Sequence, residues 1–229
     1  MNIVRVAGYE ELSQKGAEIV AAQVKQKPDS VIGFATGSSP EGTYQNLIKM
    51  NLDFSRVTSF NLDEYYPIKK SHPQSYNFFM HDKLFDHINI KNVNILNGEA
   101  PDWKAECESF DARIEKAGGL DLQILGIGGD GHIAFNEPGD FLHPFTHLEE
   151  LDESTIDANA RFFEKRSDVP TQALTMGMAS IMKARKILML VSGESKKKVF
   201  EAFLTGKITT QNPSTMLWMH PDVTVVSDI

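Results

Sequence analysis

The chain predicts an α/β fold: an open, mostly parallel sheet covered by helices on both faces. Two observations carry this. Short apolar, β-branched runs alternate with helix-patterned segments along the whole chain. The 229 residues fit one such domain with a sizeable core, and no repeat, low-complexity tract or linker divides them, so residues 1–229 are expected to form a single unit.

In order, the strand candidates are Val31–Phe34, Val57–Leu62, Val93–Leu96, Leu122–Leu125, Lys186–Val191 and Val223–Val226. Helix-patterned segments cover about 9–26, 41–50, 74–87, 101–117, 171–183 and 194–205. In sheets of this kind ligands bind beyond the carboxyl ends of the strands, so the residues just after each strand are the informative ones.

Composition narrows the function. A 41% hydrophobic and 24% charged content is ordinary for a soluble globular protein. The formal net charge of −8 argues against nucleic-acid and anionic membrane partners. A local basic pocket for a small anion remains compatible with it. The single Cys107 excludes a disulfide framework and reads as a structural thiol. The N-terminal stretch lacks a signal-peptide apolar core and no apolar run reaches membrane-spanning length, so a cytoplasmic protein is expected.

The first strand end reads "ATGSSPEG". Gly37 permits a tight turn, Ser38 and Ser39 offer hydroxyls, and Pro40 suits a helix start. Backbone N–H groups at such a start favour an anion, typically phosphate. The Gly-Lys-Ser/Thr ending of a Walker A loop is missing. The second strand end, "NLDEYYP", delivers Asp63 and Glu64 on extended chain, where neighbouring side chains point opposite ways. One carboxylate can enter the cleft while the other faces away.

The third strand end, "GIGGDGHIAFNEPG", admits two readings. Gly126, Gly128 and Gly131 satisfy the glycine spacing of a dinucleotide turn. Pro138 interrupts the helix that should follow, and no acidic residue closes a second strand about 20 residues on. The glycines read better as slack that brings Asp130 and His132 to a ligand. His132 is the natural general base near neutral pH, with Asp130 and Glu137 each able to hold its other nitrogen. The fourth, "SGESKKK", offers Lys196 in a first helical turn, and "NARFF" carries Arg161, whose guanidinium can fork onto phosphate. The seven histidines show no metal-ligand spacing: His143 and His147 are four apart, but Pro144 between them rules out a shared helix face.

Taken together, "GFATGSSPEGTY", "FNLDEYYPI", "HPQSYNFFMHDKLFDHINI", "ILNGEAPD", "LQILGIGGDGHIAFNEPG", "ANARFF", "VPTQALTMGMASI" and "MHPDVTVVSD" resemble the glucosamine-6-phosphate deaminase family, in that family's order and from end to end. The resemblance implies a modified Rossmann-type fold of the ribose-5-phosphate isomerase and CoA-transferase-like kind. It implies conversion of glucosamine 6-phosphate and water to fructose 6-phosphate and ammonia in amino-sugar catabolism, with no metal or organic cofactor and a sugar phosphate as partner. Residue by residue, Asp63 matches the base of the enolisation step. Asp130, His132 and Glu137 match the ring-opening group, and Gly37, Ser38, Ser39, Arg161 and Lys196 match phosphate contacts.

Two readings stay beside this one, a galactosamine-6-phosphate deaminase and a 6-phosphogluconolactonase. The lactonase reaction needs no base at C2, so "NLDEY" argues against it. Some members of the family are hexamers activated by N-acetylglucosamine 6-phosphate. Aligned from Pro138, their activator-binding arginine falls on His147, and their lysine and threonine fall on Glu149 and Glu150. Their further C-terminal segment has no counterpart after Ile229. The resemblance therefore implies a non-allosteric protein, a monomer or small homo-oligomer.

Overall fold

A run of four buried positions such as Val31–Phe34 suits a strand covered on both sides. In the computed structural model, which describes residues 1–229, it is a central strand of a seven-stranded sheet. In chain order the elements are β1 (Asn2–Arg5), α1 (Tyr9–Gln26), β2 (Val31–Phe34), α2 (Ser38–Lys49), β3 (Thr58–Asn61) and β4 (Asp63–Tyr66). Then come α3 (Tyr76–Lys83), β5 (Asn92–Asn94), α4 (Trp103–Lys116), β6 (Leu122–Leu125), β7 (His147–Glu150) and α5 (Glu153–Asn159). The last are β8 (Gln172–Thr175), α6 (Met178–Met182), β9 (Ile187–Val191), α7 (Lys197–Leu204) and β10 (Val223–Ser227).

The large sheet has the order β1-β10-β9-β6-β2-β3-β5 and every pairing in it is parallel. Its two faces carry separate cores, as the alternation of side chains along a strand dictates. From β9, Ile187, Met189 and Val191 pack with Phe110 of α4 and Phe200 of α7. Leu188 and Leu190 face the other way, against Leu12 and Val20 of α1 and Tyr44 of α2. The expected strands at the centre of the sheet are all present.

Four strands depart from the expectation. β1 is a short edge strand whose residues are only half-buried or exposed, so it lacks the apolar run that marks the others. β4, β8 and β7 form a small antiparallel sheet in that order. The helix expected over 171–183 is the main correction. Gln172–Thr175 is extended between β4 and β7, and only Met178–Met182 is helical. The spacing of Leu174, Met178 and Ile181 mimics a helix, but pairing on both sides claims the first half. Gly177 then fixes where the chain changes state: a Cβ there would lie 2.2 Å from the Phe145 carbonyl oxygen. No helix of the protein is long and apolar enough to cross a membrane.

Candidate active site

The strand ends named above converge on one cavity of about 1060 Å³. Its wall includes Gly37, Ser38 and Ser39 after β2, Asp63 after β3, Asp130 and His132 after β6, and Lys196 after β9, with Arg161 beyond α5. This is the carboxyl edge of the parallel sheet, as expected.

The β2–α2 turn is built for backbone exposure. Gly37 has φ +93°, a conformation that costs a residue with a side chain, and α2 starts at Ser38. Tyr9 braces this start. Its hydroxyl donates to the Ser38 carbonyl at 2.7 Å and accepts from the Gly42 N–H at 2.8 Å. On the opposite wall, Gly193 has φ +96°, and Asp228 accepts from the Ser192 hydroxyl at 2.6 Å. Lys196 follows in a 3₁₀ turn, and burial lowers its pKa, with nearby Arg161 adding to the shift. Arg161 is exposed and its guanidinium stacks 4.6 Å over the Phe162 ring.

Asp63 and Glu64 do diverge. Asp63 lines the cavity and is 5% exposed, and its Oδ1 has no hydrogen-bond partner. Burial, with Glu64 next to it as the second cause, pushes its carboxyl up to about 8. Glu64 turns the other way and caps α3. It accepts from the backbone N–H groups of Tyr76 and Asn77, both at 2.8 Å. That places the Tyr76 ring in the cavity wall.

The β6 loop holds His132 between two carboxylates. His132 Nδ1 lies 2.9 Å from Asp130 Oδ1 and 3.5 Å from Glu137 Oε2. Asp130 accepts from the His132 backbone N–H at 3.0 Å, and its carboxylate is the nearer of the two to the ring nitrogen. Glu137 sits behind the ring, buried and outside the cavity wall. Burial opposes the imidazolium, but the two carboxylates outweigh it and raise His132 to about 9. Burial likewise opposes the Asp130 carboxylate, yet His132 holds it well below the usual range, while burial keeps Glu137 raised. The ring lies on Gly128, where a Cβ would be 2.3 Å from His132 Cε1. Ala134, also in the cavity wall, takes the left-handed φ of +55°. No helix follows this loop, which ends instead in β7, so its glycines do not form a dinucleotide turn.

The family model described as glucosamine-6-phosphate isomerases/6-phosphogluconolactonase matches residues 7–226. The chain belongs to this family. It is 51% identical to a glucosamine-6-phosphate deaminase of Thermoanaerobacter pseudethanolicus, an alignment covering 100% of this chain and 92% of the relative. It is 50% identical to one of Clostridium perfringens, covering 100% and 97%. Among solved structures, a monomeric glucosamine-6-phosphate deaminase superposes with a TM-score of 0.97 at 44% identity, over 99% of this chain and 97% of the other. A 6-phosphogluconolactonase from Thermotoga maritima superposes at 0.75 with 20% identity, covering 98% and 96%, which is a likeness of fold.

All nine residues singled out from the sequence therefore lie in or directly behind one cavity of this family member. The sequence reading missed Tyr9, Thr36 and Tyr76, which also line it. Tyr9 belongs to α1 and reaches the site only because α1 packs closely on α2. A Cβ at Gly42 would sit 2.2 Å from Ser13 Oγ. No local pattern announces such a contact. One grouping outside the cavity was not anticipated from spacing. His143 and His147 share no helix, yet with Glu149 they bring potential ligand atoms within 4.8 Å of one another. The spacing argument considered only a helix face, whereas a bent loop running into β7 joins them.

Proposed function

We propose that the protein deaminates glucosamine 6-phosphate with water, yielding fructose 6-phosphate and ammonia. One observation carries this reading: a buried carboxyl with an unpartnered oxygen, Asp63, and an imidazole 2.9 Å from a carboxylate, His132, share a cavity with phosphate-competent groups. The likeness to glucosamine-6-phosphate deaminases over the full chain supports it.

The phosphate rests on the Gly37–Ser39 turn, with Arg161 and Lys196 as its cations. His132, protonated at neutral pH, donates from Nε2 to the ring oxygen of the closed sugar. Its conjugate base then accepts the C1 hydroxyl proton, while Asp130 steadies Nδ1 and Glu137 backs the ring. Asp63 takes the C2 proton of the open-chain aldehyde and returns it to C1. Meanwhile His132, which now carries the proton taken from the C1 hydroxyl, gives it back to the O1 oxygen and receives in exchange one proton from the amino group. The raised pKa of Asp63 makes its ionised form a stronger base than an exposed aspartate. The C2 imine so formed adds water and releases ammonia.

The test is ammonia release from glucosamine 6-phosphate and galactosamine 6-phosphate, run beside hydrolysis of 6-phosphogluconolactone. Ammonia from the glucosamine compound is the expected outcome. Lactone hydrolysis without ammonia would overturn the reading, and preference for the galactosamine compound would change the substrate at C4.

A further inference from the structure

We propose that His143, His147 and Glu149 form a binding site for one divalent transition-metal ion of the Zn²⁺ type, separate from the sugar-phosphate cavity. None of the three lines that cavity. Their ligand atoms lie within 4.8 Å of one another, and the two imidazole centroids are 4.4 Å apart.

The hydrogen bonds of His147 define its state. Its Nδ1 lies 2.9 Å from the Phe145 carbonyl oxygen. A carbonyl only accepts, so Nδ1 carries the hydrogen. This backbone partner on the far nitrogen is the usual support of a metal-ligating histidine, and it leaves Nε2 available as a ligand atom. Nε2 faces Glu149 Oε2 at 2.7 Å. A lone pair and a carboxylate oxygen at that distance repel unless a positive charge lies between them. A proton supplies it in the ion pair. A metal ion supplies it too, and recruits His143 as a third ligand.

The loop that presents these groups is fixed. Met178 N–H donates to the His143 carbonyl and Ala179 N–H to the Pro144 carbonyl, both at 2.9 Å. Asp111 accepts from the Thr146 N–H at 2.9 Å and from its hydroxyl at 2.6 Å. The backbone is therefore set before an ion arrives, and ligand closure needs only side-chain rotation. A tetrahedral ion at about 2.0–2.2 Å from its ligands sets them roughly 3.3 Å apart. His147 and Glu149 open slightly to reach this, and the exposed His143 swings in. Two imidazoles and one carboxylate suit Zn²⁺, Co²⁺ or Ni²⁺, with water in the remaining position.

The experiment is calorimetric titration of the whole protein with Zn²⁺, and visible absorption with Co²⁺. The expected result is one equivalent bound. His143→Ala and Glu149→Gln should each weaken binding by roughly tenfold or more. His143→Ala should leave the metal-free melting temperature near that of the parent, since His143 is exposed. The other group of facing ligands, Asp130, His132 and Glu137, supplies the control: His132→Gln should bind Zn²⁺ as the parent does. Absence of binding would overturn the proposal, and so would binding indifferent to both loop variants or lost in His132→Gln.

Discussion

Asp63 is held as an acid the fold would rather keep neutral. Its ordinary pKa near 3.9 applies in the unfolded chain, and its native value is about 8. As pH rises between these values the unfolded chain gives up its proton first, so native stability declines across that window. His132, raised to about 9 from about 6.5, supports the fold fully below its unfolded pKa and loses that support as pH rises through 9. Asp63→Asn removes the first liability and the base together. Its melting temperature should match the parent near pH 4 and exceed it increasingly towards pH 8, read by calorimetric scans at both. Ammonia release should fall on the order of 10²- to 10⁴-fold while substrate affinity changes only a few-fold. A melting difference independent of pH, or near-normal turnover, would refute this account. The residue pair was legible because alternation on extended chain needs no tertiary knowledge. Which carboxylate serves His132 was not, because Asp130 and Glu137 are ordered by the loop's bend rather than by spacing.

At the scale of elements, the β6 loop works because it lacks side chains where the imidazole must lie. Gly128→Ala would push a methyl into the His132 ring, 2.3 Å from Cε1. The ring must shift, and a displacement of about 1 Å at a catalytic group costs roughly 100-fold in rate. We expect that loss in kcat, with the phosphate turn untouched and KM nearly constant. A normal kcat would mean that the ring does not rest there. The buried strands of the large sheet were readable since both faces are apolar. Thus β9 is buried at all five positions. The small sheet was not readable. β7 (His147–Glu150) is mostly polar, and its four residues extend because β8 offers a ladder, which local pattern does not encode.

At the scale of the whole molecule, the region after Pro138 bears on the expectation of a non-allosteric protein. Glu149 lies 2.7 Å from His147 Nε2 and Glu150 accepts from Gln172, so two carboxylates stand on this surface. We expect hyperbolic substrate kinetics unchanged by N-acetylglucosamine 6-phosphate and the mass of a monomer or small oligomer by light scattering. A sigmoidal curve that this compound straightens would refute the expectation. The sheet order carries a consequence for how the molecule comes into being. β1 has one neighbour in the sheet, β10, and Asn2 pairs with Thr224. β1 thus waits for β10, more than two hundred residues further along the chain. At 5–20 residues per second the ribosome keeps them apart for roughly ten to forty-five seconds. Throughout that interval β1 has no sheet partner to pair with. Four residues, two of them polar or charged at the strand's ends (Asn2 and Arg5), make a poor template for a stranger's strand. Brevity at this margin protects the chain while it is being made, and the sheet is completed only when β10 emerges.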